Sequence, residues 1–376
     1  MIEKCKYFCD SQSVCSLMID DMVPVAVSCN GDITAQNDWG YLMDAPNSLY
    51  TYFSDQILKK YPEIKGTIFM PLSSPNYIPK DKGYKIFINQ VNSTDFLSFI
   101  AKISDHFETA FHGDKHTSEC RYLEREGLDS IVMAVSQFEK ETGHIFNGGK
   151  FPAYRYNQIA LEIISKIQAK WWALDVSMIN KVTDKNDLIF DHELNIVLIP
   201  TNVCGDIFKN YFIPPRTGIK QTVKKGLKYI LGMDNKYSDP VKYLDYLYNK
   251  RLPIIVQEHF QSLRTDGERQ TPSVYDDIFS LDLIYAFLRG KDIWYATCSD
   301  IAHYYESYIH TSIDVKDETN FTIVYKGIYD EPLLSIKSSY PKILHKESAK
   351  EIQGIFKNGC WIFDNIQIGS YEIIMP

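Results

Sequence analysis

The chain of 376 residues lacks any apolar run near the ~20 residues that a membrane-crossing helix needs. It also lacks an excess of basic residues: 40 Lys and Arg stand against 48 Asp and Glu, a formal net charge of -8. A general nucleic-acid binder needs a basic face to neutralise phosphates, and this balance argues against one. There is no internal repeat and no low-complexity segment, which removes solenoids and disordered scaffolds. Of eight cysteines, only Cys5 and Cys9 lie close, and no second close pair follows, so a zinc ribbon is disfavoured. Scattered cysteines in a long chain read as reduced, partly buried thiols of a cytosolic protein. The N-terminal Met-Ile-Glu-Lys-Cys-Lys has no apolar core and no small-residue cleavage site, so the expectation is a cytoplasmic protein.

What the chain does have is alternation. Short apolar stretches at 14–19, 66–70, 171–176, 196–200, 252–258 and 293–297 read as strands. Helical patterns occupy 49–60, 96–103, 124–142, 159–169 and 276–288, and Gly143 is a stop signal. Strands alternating with helices predict a parallel sheet or barrel, an α/β fold whose reactive groups sit at the C-terminal ends of strands. Near residue 310 the texture changes to short strand-like runs at 321–325, 333–337, 361–368 and 371–375, separated by Gly, Asn, Asp or Pro. This predicts an α/β domain over 1–310 and a small β-rich domain over 311–376. The latter suits sugar binding, dimerisation or a structural cap.

The stretch His112-Gly-Asp-Lys-His116 gains its meaning from Asp20-Asp21 upstream. A helical turn would bring both imidazoles to one side, and Asp20-Asp21 closes a buried strand. One carboxylate and two imidazoles suit a Zn²⁺-like ion, with positions left for water and substrate; Co²⁺, Mn²⁺, Fe²⁺ or Ni²⁺ would also be accepted. The bland alternative is a pair of surface or core-edge histidines beside a solvated turn.

Taken in order, Asp20-Asp21, His112-x-x-x-His116, Lys150-Phe-Pro152-Ala-Tyr154, Asp175 and His259 resemble the motifs of the polysaccharide deacetylase family, the NodB-like carbohydrate esterase family 4, over roughly residues 10–305. The resemblance implies a distorted (β/α) barrel and metal-dependent removal of an acetyl group from an acetylated sugar. It makes Asp20 the general base, Asp21, His112 and His116 the metal ligands, and His259 the general acid. It further suggests that Asp175 orients His259, although Asp175 would equally serve as a capping aspartate on a core strand. Pro152 and Tyr154 would shape the acetyl pocket, or form a turn on the rim. Trp39, beside Asn37 and Asp38, would suit a sugar face.

The chain departs from the family in three places. Met22 follows Asp21 where the family has glycine. Lys150 stands where the family has an arginine, and lysine lacks the planar fork that grips both oxygens of a carboxylate; Arg155 is near enough in sequence to take that task. Phe260 follows His259 where an aspartate is usual. The leading expectation is a divergent metal-dependent deacetylase acting on an N-acetylated sugar, polymeric or linked to a nucleotide or lipid. A metal-dependent amidohydrolase on a non-sugar amide and a non-catalytic carbohydrate-binding protein of the same fold are the alternatives.

Overall fold

A computed structural model describes residues 2–22, 26–29, 49–72, 84–87, 93–114, 123–176, 185–209, 239–260 and 271–375. The strand Ser13–Asp20 is buried at all eight positions, as befits a strand covered on both faces of a parallel sheet. On one side it pairs in parallel with Ile254–His259, and on the other with Gly66–Met70. The order then runs through Phe107–Phe111, Gly148–Gly149, Trp171–Asp175 and Ile196–Thr201, all parallel, to the antiparallel Ile189–Asp191. After Asn202 the chain continues into Val203–Cys204, which pairs in parallel with Ile254–His259. The Asn202 side chain accepts from the Ile255 N–H at 2.9 Å. One run of chain from 196 to 204 therefore touches both the late strands of the order and its beginning.

Successive side chains on a strand face opposite ways, and the two sides form separate apolar clusters. Leu17, Ile19, Ile68, Trp172, Leu198, Ile254 and Val256 pack outward against helices. Met18, Phe69, Ala110, Trp171, Val197, Ile199 and Ile255 form the second cluster, which Cys298, Ile301 and Ala302 of helix Cys298–His310 join. The covering helices begin and stop where short-range chemistry dictates. Asn157 caps Gln158–Lys166 by accepting from the Ala160 N–H, and Asp239 does the same for Pro240–Asn249 at Lys242. Arg125–Thr142 ends at Gly143, whose positive φ of 71° lets its N–H turn back to the Glu139 carbonyl.

Helix Cys298–His310 was not foreseen from periodicity. It is wedged between two cores and has little exposed face, with Ile301 and Ala302 on one cluster and Tyr304 on another. Its N-terminal signal was readable nonetheless: Thr297 and Asp300 form a capping box.

Beyond it lie two small antiparallel sheets around Phe321, Ile323, Leu334, Ile336, Ile343, Phe363, Tyr371 and Ile373. One is built from the segments at 311–325, 342–353 and 369–374. The other contains Ile336–Ser338, Ile355–Lys357, Cys360–Phe363 and, from the far end of the sequence, Ile2–Lys4. The β-rich unit thus draws a strand from the N-terminal residues, with Ile2 opposite Ser338 and Lys4 opposite Ile336. Three residues are too few for a periodic signal. Cys5, Cys9, Cys15, Cys204, Cys298 and Cys360 are free thiols. Among the described residues no helix is long and apolar enough to cross a membrane.

Candidate active site

Parallel strands end on one edge of a sheet, and the expected residues collect there. Asp20 is the last residue of its strand and lies in register with His259, the last residue of the neighbouring strand. His112 directly follows Phe107–Phe111, and Lys150 directly follows Gly148–Gly149. Asp20, Asp21, His112 and Lys150 are all buried, with 1–3% of each exposed.

Adjacent residues in a strand would point apart. Asp21 instead adopts a φ of 65°, a left-handed conformation that aspartate tolerates better than most side chains. Its N–H donates to the Phe69 carbonyl at 3.0 Å. The break in alternation brings both carboxylates to His112, whose Nε2 is 3.4 Å from Asp21 Oδ1 and 3.8 Å from Asp20 Oδ2. His112 Nδ1 lies 3.0 Å from the Lys150 carbonyl oxygen, which only accepts, so Nδ1 carries the proton. In the neutral ring Nε2 is then the lone-pair nitrogen, turned toward Asp21. Two donors each ~2.0–2.1 Å from one tetrahedral ion lie about 3.3 Å apart. The 3.4 Å separation of Asp21 Oδ1 and His112 Nε2 fits that requirement. The third expected ligand, His116, lies outside the described residues, as does Trp39. Among the described residues no group of three or more such side chains comes together as a metal site.

Lys150 reaches Asp20 from the opposite side. Its Nζ is 2.7 Å from Asp20 Oδ1, an ion pair whose angle falls short of a hydrogen bond. The ammonium also lies 4.6 Å from the centre of the Phe69 ring and 4.8 Å from that of Tyr154. The approach depends on glycine. A Cβ on Gly149 would stand 2.5 Å from the Phe111 carbonyl oxygen, so any larger residue would push this strand, and Lys150 with it, away from its neighbour. Arg155 is exposed, and Lys150 is the cation that lies against the Asp20 carboxylate.

Pro152–Tyr154 forms one tight turn, with positive φ at Ala153 and Tyr154, and folds the tyrosine back over Lys150. Burial, then the neighbouring Asp20 charge, hold the Tyr154 hydroxyl well above its usual range, so it stays protonated. Pro152 is buried.

His259 places Nε2 3.9 Å from Asp20 Oδ2. Its Nδ1 lies 2.8 Å from the Pro272 carbonyl oxygen and is therefore protonated. A backbone carbonyl thus orients the ring at Nδ1, and Asp175 is the last residue of its own strand, opposite Thr201. Two participants escaped the sequence reading. Pro272 contributes only a carbonyl, which leaves no compositional trace. Gln257, two residues before His259 and so on the same strand face, donates from Nε2 to Asp20 Oδ2 at 3.3 Å.

No family model and no curated protein matches the chain. The solved structures to which it is similar are largely polysaccharide and peptidoglycan deacetylases of carbohydrate esterase family 4. Peptidoglycan deacetylase PdaC from Bacillus subtilis is 14% identical, covering 78% of this chain and 92% of that one at a TM-score of 0.36. The Xyl-CE4 domain of a multidomain xylanase from the hindgut metagenome of Trinervitermes trinervoides is 11% identical, covering 77% and 89% at 0.36. BA3943, a CE4 family pseudoenzyme from Bacillus anthracis, is 14% identical, covering 77% and 65% at 0.36. Likeness this slight decides neither fold nor activity.

Proposed function

We propose that the chain is a metal-dependent hydrolase that removes the acetyl group from an N-acetylated sugar, on a sheet closed into a distorted (β/α) barrel. The observation that carries this reading is the setting of Asp20. One oxygen is neutralised by a buried lysine, while the other lies just under 4 Å from two histidine nitrogens. A carboxylate and an imidazole facing one small space form an acid–base pair.

Asp21 and His112, with His116, would hold a divalent ion, most suitably Zn²⁺. Such an ion polarises the acyl carbonyl and makes water a stronger acid. Asp20 Oδ2 takes the proton from the attacking water, and Lys150 balances the carboxylate before that transfer. His259, protonated at both nitrogens, gives the Nε2 proton to the departing amine, while the Pro272 carbonyl keeps the ring oriented. Water adds across the C–N bond, and acetate and the amino sugar leave. The carboxylate and the imidazole end with exchanged protonation and must be reset through solvent.

The test is metal content and acetate release, measured for the purified protein beside His112→Ala. About one divalent ion per chain, lost in the variant, with acetate released from N-acetylated sugars, supports the reading. Turnover of small amides in place of sugars would move the substrate class. Metal bound without any turnover would make the chain a carbohydrate-binding protein. A protein that takes up neither Zn²⁺ nor Co²⁺ would sink the hydrolase altogether.

A further inference from the structure

Asp20 has two oxygens to be held, and Lys150 holds one. An arginine would fork across both, whereas an ammonium is a point charge that serves a single oxygen. At Asp20 Oδ2 the donor is Gln257 Nε2, 3.3 Å away. The Gln257 amide is itself anchored: its Oε1 accepts from the Tyr154 hydroxyl, and the Tyr154 oxygen lies 3.4 Å from Lys150 Nζ. The four side chains close a ring, Asp20–Lys150–Tyr154–Gln257.

Chemistry fixes the direction of that ring. An ammonium only donates and a carboxylate only accepts. With Lys150 donating toward it, the tyrosine passes its own proton to the amide oxygen. This leaves the amide nitrogen, and not the oxygen, facing Asp20. A reversed amide would set an oxygen against a carboxylate and turn its NH2 group toward the tyrosine hydroxyl.

We propose that Gln257 is a positioning residue which, anchored by Tyr154, turns the Oδ2 oxygen of Asp20 into the space between His112 and His259. The inference rests on the deacetylase reading for its consequence in catalysis, though the contact itself stands apart from it. Gln257 does not touch the scissile bond in this role; it acts through the carboxylate. A leucine there would fill the same volume and leave Oδ2 free to rotate about the Lys150 contact. A misaimed base lowers the rate of the bound complex and leaves substrate affinity nearly intact.

The experiment compares Gln257→Leu, Tyr154→Phe and the double variant in two ways on the metal-loaded protein. In acetate release from an N-acetylated sugar, each single change should lower kcat about 10- to 100-fold, with KM within about threefold. The double variant should be no worse than the poorer single one, because both break the same chain of contacts. In urea unfolding, the two changes should likewise be non-additive, by about fivefold or more in the unfolding constant. Losses that multiply in both measurements, or a Gln257→Leu enzyme with wild-type kcat, overturn the proposal. Should the wild type release no acetate, the deacetylase reading falls by itself; the urea cycle then decides, non-additivity supporting the bridge and additivity refuting it. If Gln257→Leu fails to fold, Tyr154→Phe, which deletes only the anchoring hydroxyl, carries the kinetic comparison: unchanged kcat refutes the bridge and a tenfold loss supports it.

Discussion

Lys150 is a cation with 1% of its surface exposed, which water does not stabilise. Its counter-charge is Asp20, 2.7 Å away, and the dependence is mutual. Removing one partner of a buried ion pair strands the other, at a cost of about 3–5 kcal/mol. Lys150→Met is therefore expected to lose about 3 kcal/mol of stability in metal-free protein, read by urea denaturation, and more than about 100-fold in kcat. Lys150→Arg is expected to keep the stability and lose activity, because a planar fork would compete with Gln257 for Oδ2. The candidate residues Asp20, Asp21, His112 and His259 were legible in the sequence as carboxylates and imidazoles near predicted strand ends. Gln257 and Pro272 were not. An amide is at home on any half-buried strand, and the contribution of Pro272 is a carbonyl that every residue possesses.

At the scale of elements, most of the parallel strands were readable from apolar runs, Phe107–Phe111 and Val203–Cys204 excepted, and the C-terminal ends they share follow from being parallel. The two-residue strand Gly148–Gly149 was invisible, since neither residue has strand propensity; it exists because only glycine fits against Phe111 and Trp171. Gly149→Ala should displace Lys150 and mimic part of its loss, measurable as reduced kcat with the metal still bound.

The site strands carry two further acids, of another kind. Glu108, on Phe107–Phe111, accepts from Thr67 Oγ1 and from the Ser299 N–H at the start of helix Cys298–His310. Burial pushes its carboxyl from 4.5 up to about 7. The folded protein thus holds a proton that the unfolded chain releases near 4.5. Its contribution is fully present below that pH and lost as pH rises through about 7. Glu108→Gln should flatten the stability profile between those values, with a gain over wild type of up to about 3 kcal/mol at pH 8 in urea titrations. Glu258, fully buried against Gly205, has neither carboxylate oxygen matched to a donor among the described residues. Burial and then the Asp277 and Asp206 charges raise its carboxyl well above the usual range. Glu258→Leu should consequently stabilise the protein by about 1–3 kcal/mol at neutral pH, seen as a higher urea midpoint.

The whole molecule is organised around helix Cys298–His310, which serves the main sheet with one side and the β-rich unit with the other. Tyr304 makes the link explicit: its hydroxyl donates to the Cys5 carbonyl at 3.0 Å, beside the strand Ile2–Lys4. Deleting residues 1–5 should expose the edge of Ile336–Ser338 and lower the thermal midpoint by roughly 5–10 °C, an estimate from a few kcal/mol lost in a large domain. An unchanged midpoint would show that the strand is ornamental.

That pairing also orders events in time. Residues 2–4 leave the ribosome long before residues 336–338, the partners they must find. At synthesis rates of about 5–20 residues per second, the wait is roughly 20–60 s. The strands of the main sheet have time to assemble in that interval, while Ile2 and its neighbours stay unmatched and open to chaperones or proteases. A nascent chain stalled before residue 336 should accordingly be clipped near its N-terminus, and one released after full synthesis should resist.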